Sequence, residues 1–218
     1  MGLLSGILDL LFPPKCIFCR RLLQKGETGI CSACEMDLPR TRSGGKQSGS
    51  FFEACVSPLW YEGTVREAIL RFKFGNASAY AEHFGIMIAD CIRENLAGQY
   101  DLISWVPLSA KRLRKRGYDQ AMLLARAAAL SLEDVAVETL EKHVDVPAQS
   151  GTGSPARRRA NISGAYRVRD PELVRGKRIL LIDDIVTTGS TLSECARILR
   201  GAGAEKVLCA TLARTREE

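Results

Sequence analysis

The 218-residue chain contains no run of about eighteen apolar residues, the least that spans a bilayer as a helix. Its apolar opening, MGLLSGILDLLFPP, is shorter than that. It carries Asp9 and holds no basic residue before Lys15, so it lacks the charged region of a secretory leader. Gly6 stands where a myristoylation pattern requires serine or threonine. These absences predict a cytoplasmic protein with no stable membrane insertion, residues 3–12 forming a short amphipathic helix docked on the body. A large excess of one charge is also missing: 31 Lys and Arg stand against 25 Asp and Glu, a net of +6 with a pI near 9.0. Such a balance favours an anionic partner without choosing among phosphometabolites, nucleic acid and anionic lipid. With 46% hydrophobic and 26% charged residues, composition excludes global disorder and a fibrous repeat. The length suits one or two domains.

Eight cysteines are present, unevenly placed. Cys16 and Cys19 form one C-x-x-C, Cys31 and Cys34 a second, and eleven residues separate the pairs. Each such turn presents two thiolates to one ion, and two turns complete the tetrahedral shell of Zn²⁺. Four thiolates leave no open coordination position, so the expected role is structural and not catalytic. Redox chemistry at either pair is the competing reading. The segment has too few apolar residues to fold without its metal. Cys55, Cys91, Cys195 and Cys209 stand singly in apolar surroundings, as small core residues do. The stretch TRSGGKQSGS at 41–50 has the composition of a linker. It divides a metal-binding segment, 1–40, from a larger domain, 51–218. On this division, Cys16→Ser is expected to unfold the first unit and leave the second folded.

From Phe51 onward the pattern is α/β. A strand is expected near 55–61, then a helix over 65–74 with Val65, Ile69, Phe72 and Lys73 at helical offsets. A second helix follows at 80–96, a strand before Pro107, an alanine-rich helix over 119–132 and another strand at 135–140. Residues 142–160 hold proline, glycine and three consecutive arginines without an apolar period, which reads as a long functional or mobile loop. Near the C-terminus come a strand at 178–182, a polar turn at 183–189, a helix at 191–200 and a strand at 206–212. Strand, crossover helix and strand in about 30 residues form a βαβ unit, hence a parallel, doubly wound sheet. Ligands bind such sheets at the carboxyl ends of the strands.

That end carries unusual chemistry here. In residues 179–191, ILLIDDIVTTGST, Gly189 permits a sharp turn, and Ser190 and Thr191 are good helix caps. A helix starting there turns free N–H groups and the positive end of its dipole toward the bend, which suits a phosphate monoester. Asp183 and Asp184 would repel that phosphate, but they accept hydrogen bonds from neutral hydroxyls or hold a cation. A ribose 5-phosphate satisfies both ends. The alternative is an ordinary capped turn, which leaves two adjacent carboxylates at the strand end costly without reason. Two basic clusters, KRLRKR at 111–116 and RRR at 157–159, exceed what a pyrophosphate needs.

Residues 179–191 resemble the phosphoribosyl-pyrophosphate (PRPP) motif of type I phosphoribosyltransferases. Together with Cys16, Cys19, Cys31 and Cys34, with VPLS at 106–109, RGYDQ at 116–120, and Gln149, Arg158 and Asn161, nearly the whole chain resembles the ComF family. The resemblance implies an α/β fold: a type I phosphoribosyltransferase-like parallel sheet flanked by helices, behind a small N-terminal zinc-ribbon-like segment. It implies that Asp183 and Asp184 hold the ribose 2- and 3-hydroxyls, while Thr187, Thr188, Gly189, Ser190 and Thr191 cradle the 5-phosphate. Pro107, Leu108 and Ser109 lie where the family receives pyrophosphate, with Lys111 and Arg112 behind them. Arg158 and Asn161 belong to a loop that closes over the site and excludes water. Asp119 stands where the family pattern usually shows asparagine. Thr187 stands where 6-oxopurine salvage enzymes carry an aspartate base, which sets this chain apart from that subclass.

The implied activity is Mg²⁺-dependent phosphoribosyl transfer, with pyrophosphate leaving C1 through an oxocarbenium-like state. Several family members are associated with DNA uptake in competence. The implied partners are therefore PRPP or another ribose 5-phosphate compound, together with single-stranded DNA and the competence machinery. The alternative is a non-catalytic single-stranded DNA-binding module with a degenerate transferase pocket. It would grip phosphates with the basic clusters and stack bases on Tyr118 and Tyr166.

Overall fold

The computed structural model describes residues 13–143 and 164–216. The helix expected at 3–12, Gln149, the arginines at 157–159 and Asn161 lie outside the described residues. Helix α1 (Ser32–Asp37) belongs to the cysteine-rich segment. Short strands β1 (Ala54–Val56) and β2 (Leu59–Trp60) lead into helices α2 (Gly63–Phe74) and α3 (Tyr80–Leu96). Strand β3 (Leu102–Trp105) precedes α4 (Ala110–Arg116) and α5 (Gln120–Ser131). The chain then runs through β4 (Leu140–Lys142), β5 (Tyr166–Val168), α6 (Pro171–Val174), β6 (Arg178–Val186), α7 (Ser190–Gly201) and β7 (Lys206–Arg214).

One sheet runs in the order β1-β7-β6-β3, with β2 also beside β7, and its pairings are parallel. A parallel sheet needs cover on both faces, and the alternation along β6 provides for it. Leu180 and Ile182 pack into a core with α2, α3 and α5, while Ile179 and Leu181 pack under α7. Helices α3 and α5 come unusually close. A Cβ on Gly85 would stand 2.4 Å from the Cβ of Ala127, so glycine and the alanine-rich face of α5 set that distance. β4 and β5 form a separate antiparallel pair.

Three expectations change. The strand that begins at Arg178 does not stop at Ile182: Asp183 stays in register with Thr211, and Ile185 with Ala213, because β7 continues beside it. The run 135–140 is not a continuous strand. Only Ala136 bridges in parallel to Ile103, and β4 begins at Leu140. Stretch 41–50 is not a free tether. Gln47 bridges Cys55, the Ser57 N–H donates to the Gly44 carbonyl at 2.7 Å, and the Arg214 guanidinium donates to the Gly45 carbonyl at 2.6 Å.

The cysteine-rich segment also joins the main core. Phe18 is fully buried, with its ring 5.9 Å from Phe84, which packs at 5.5 Å against Phe72 of α2. Arg71 of α2 donates to the Ile17 carbonyl at 2.9 Å and to the Phe18 carbonyl. Independent folding of the two units, expected from the linker-like composition, does not fit a phenylalanine shared between them. No helix among the described residues is long and apolar enough to cross a membrane.

Candidate functional site

The Sγ atoms of Cys16, Cys19, Cys31 and Cys34 all lie within 4.8 Å of one another, with Cys19 and Cys31 at 3.6 Å. Thiolates about 2.3 Å from a tetrahedral Zn²⁺ stand roughly 3.8 Å apart, so the four fit one ion. Backbone N–H groups aim at the sulfurs: Cys31 donates to Cys16 Sγ at 3.5 Å and Cys34 to Cys31 Sγ at 3.4 Å. Such bonds stabilise thiolate charge and orient the ligands. Cys31 is also the N-cap of α1, so the second knuckle is built from a helix start. A Zn²⁺ held by these four thiolates would have no open coordination position, so its role would be structural.

At the carboxyl ends of β3 and β6 the surface opens into a cleft of about 400 Å³. Both Asp183 and Asp184 line it, and neither is exposed. The Nζ of Lys73, from α2, sits 2.9 Å from Asp184 Oδ2, with these side chains only 17% and 13% exposed. Asp183 accepts the N–H of Asp184 at 2.8 Å. Burial, and then the neighbouring Asp184 carboxylate, hold Asp183 well above the usual carboxylate range, with Lys73 opposing. The strand end thus carries one ion-paired carboxylate and one whose charged form burial disfavours.

The opposite wall comes from the segment after β3, where Val106, Pro107 and Leu108 line the cleft. Asp119 fixes this wall. It caps α5 by accepting the Met122 N–H at 3.1 Å, and its other oxygen accepts the Leu108 N–H at 2.8 Å. Both partners are donors, so a carboxylate serves at this position. Burial raises Asp119 from its ordinary value, although these backbone bonds oppose the rise. Ser109 is used differently from the expectation: its hydroxyl caps α4 through the Arg112 N–H at 3.4 Å, and it does not line the cleft. Lys111 is exposed and outside the lining, whereas Arg112 and Arg116 belong to it. Arg116 lies 4.9 Å over the Phe74 ring and donates to Gln120 Oε1 at 2.7 Å.

The bend follows directly. Gly189, at φ 68°, is the N-cap of α7 and brings no side-chain cap. Ser190 and Thr191 are therefore first-turn residues and not the cap, because only the left-handed conformation that glycine adopts freely closes this turn. The first N–H groups of α7 keep no side-chain acceptor. They border a recess of about 130 Å³ lined by residues 185–192, with Asp183 at its edge. The Thr188 and Ser190 hydroxyls share a hydrogen bond at 2.8 Å. Asp183, Thr187 and Thr191 line both recess and cleft, so the two adjoin along the strand end and the bend.

Arg158 lies outside the described residues. Lys73 and Lys142, by contrast, line the cleft, and sequence reasoning gave neither a role. Lys73 had a signal, as a lysine at helical offset from the buried Val65 and Ile69. Lys142 had none.

The chain matches the Phosphoribosyl transferase domain family over residues 113–218 and the Double zinc ribbon domain family over residues 7–59. It is 28% identical to Competence protein F of Haemophilus influenzae, covering 92% of this chain and 96% of that one. It is 29% identical to DNA utilization protein YhgH of Escherichia coli, covering 90% and 96%. Competence protein ComFC of Streptococcus pneumoniae is 28% identical over 71% of this chain and 65% of that one. A zinc ribbon followed by a phosphoribosyltransferase-type domain, in one chain and along nearly the whole length of the Haemophilus and Escherichia relatives, supports a ComF-family phosphoribosyltransferase-like protein.

Proposed function

We propose that the cleft binds a ribose 5-phosphate compound, PRPP being the ligand that uses it most completely, and that the protein serves DNA utilisation of the competence type. One observation carries the reading: the cleft lined by Asp183 and Asp184 adjoins the recess at the uncapped start of α7, with Asp183, Thr187 and Thr191 lining both. In the proposed reaction Asp183 and Asp184 accept hydrogen bonds from the ribose 2- and 3-hydroxyls. The bend amides, with Thr187, Thr188, Ser190 and Thr191, hold the 5-phosphate. Arg112 and Arg116 face the departing pyrophosphate, and Asp119 keeps the 106–108 wall in place. The oxygen donors of this cleft suit Mg²⁺, which when bound with pyrophosphate supplies neutralising charge to the leaving group. Thr187 offers a hydroxyl and not a carboxylate base, so the acceptor brings its own nucleophilic nitrogen.

Calorimetry with PRPP and Mg²⁺ tests this. The native chain should bind and Asp183→Asn should lose most of the affinity. No binding by the native chain, or equal binding by the variant, removes the proposal.

A second reading has its own observation. Lys111, Arg114 and Lys115 are exposed and do not line the cleft, so they are cations beyond the needs of a pyrophosphate. A non-catalytic module that grips single-stranded DNA would use them, and the names of the competence and DNA utilization relatives support it. Replacing all three by serine should then weaken a labelled single strand and flatten its salt dependence in gel shifts. An unchanged affinity counts against this reading.

A further inference from the structure

Past Gly189 lies a second chamber of about 360 Å³ that shares no lining residue with the aspartate cleft. The bend is common ground: Thr188, Gly189 and Ser190 border both the phosphate recess and this chamber. A ligand ending in a simple phosphate would leave the chamber unused. A phosphate substituted on its far oxygen would lead the ligand straight into it.

The lining shows what that substituent is. Phe52 is buried beneath the bend, its Cζ 3.5 Å from where a Cβ on Gly189 would stand. Phe51, next to it, stays 45% exposed and lines the chamber. An aromatic ring left in water at the edge of a recess offers a stacking platform for a planar base. Gln47, Ser48 and Ser193 also line the chamber, and among the described residues their side chains hydrogen-bond to nothing, so they remain available to a base or sugar. The volume lies in the range of small-ligand pockets. At the cleft end, Asp183 and Asp184 select a sugar with vicinal hydroxyls, which favours ribose over deoxyribose.

We infer that the groove takes a nucleoside 5′-diphosphoribose: terminal ribose on the aspartates, pyrophosphate around the Gly189 bend and base on Phe51. This rests on the reading that the cleft binds ribose 5-phosphate. Calorimetry on the zinc-loaded full chain, with ribose 5-phosphate, ADP-ribose and a thymidine dinucleotide, tests it. ADP-ribose should bind about tenfold more tightly than ribose 5-phosphate. Phe51→Ala should erase that preference and leave ribose 5-phosphate binding unchanged. Ser193→Phe, which fills the chamber from α7, should do the same. If ribose 5-phosphate binds but ADP-ribose gains nothing, the inference is overturned and the proposed function stands. A preference that survives both variants, or a dinucleotide that binds more tightly than ADP-ribose, also overturns it. If neither ribose compound binds, the proposed function falls and the inference with it.

Discussion

Removing the Phe18 ring should weaken the whole protein and not only the metal-binding segment that carries it. The ring is fully buried and lies 5.9 Å from Phe84, which in turn touches Phe72 at 5.5 Å and Tyr80 at 5.8 Å. Truncating such a side chain to alanine costs about 3–5 kcal/mol, because the transfer loss is joined by a cavity that the packed Phe84, Phe72 and Tyr80 cluster cannot collapse into. In a chain of this size each kcal/mol lowers Tm by roughly 2–4 °C, so Phe18→Ala should melt about 6–20 °C earlier. Tryptophan fluorescence reports the right transition, since Trp60 and Trp105 sit in the parallel sheet, on β2 and β3. Zinc removal should act on that same transition. Cys16 and Cys19 flank the ring, and metal-binding energy is folding energy where the site forms only on folding. A tryptophan-reported Tm that stays within about 2 °C of native in both Phe18→Ala and metal-stripped protein refutes the shared core.

Lys73→Met should destabilise the protein by about 2–4 kcal/mol in urea titrations, because it strands a mostly buried carboxylate, and Lys73→Met/Asp184→Asn should recover much of the loss. No recovery in the double variant would mean that Lys73 acts through packing alone. Asp183 has a raised native pKa, so its contribution to stability is full in acid and is lost as pH rises from the ordinary carboxylate range toward neutrality. Asp183→Asn should therefore gain stability over native as pH rises from 4 to 8, even as ligand binding falls; a pH-independent difference in denaturation midpoint contradicts this. Asp119→Ala loses the α5 cap and the tie to Leu108, at about 1–2 kcal/mol, and should raise the Kd for PRPP. Unaltered PRPP affinity would show that the 106–108 wall holds without it.

Much of the site was readable because its parts are local. Two C-x-x-C turns specify a four-thiolate centre by spacing alone, and α1 adds only a cap. The β6–α7–β7 unit and its bend follow from a continuous apolar strand, a glycine and a short crossover, each decided by neighbours a few residues away. Where local reasoning missed, the cause was a distant partner. Asp183 and Asp184 were expected in a turn, yet β7 extends the ladder past them. Ser190 and Thr191 looked like caps, yet the backbone gave that place to Gly189. Stretch 41–50 has linker composition, yet its carbonyls and N–H groups are taken up by Cys55, Ser57 and Arg214.

The amino-acid order by itself thus determined the metal centre, the parallel βαβ unit and the acidic and amide-lined ends of one strand-to-helix connection, since capping, turn formation and thiolate spacing act over short stretches of chain. The tertiary structure alone decided that Lys73 meets Asp184, that Phe18 enters the common core and that Phe51 stands beside the bend. Those meetings depend on how the β1-β7-β6-β3 order brings remote segments together, and no local propensity records that.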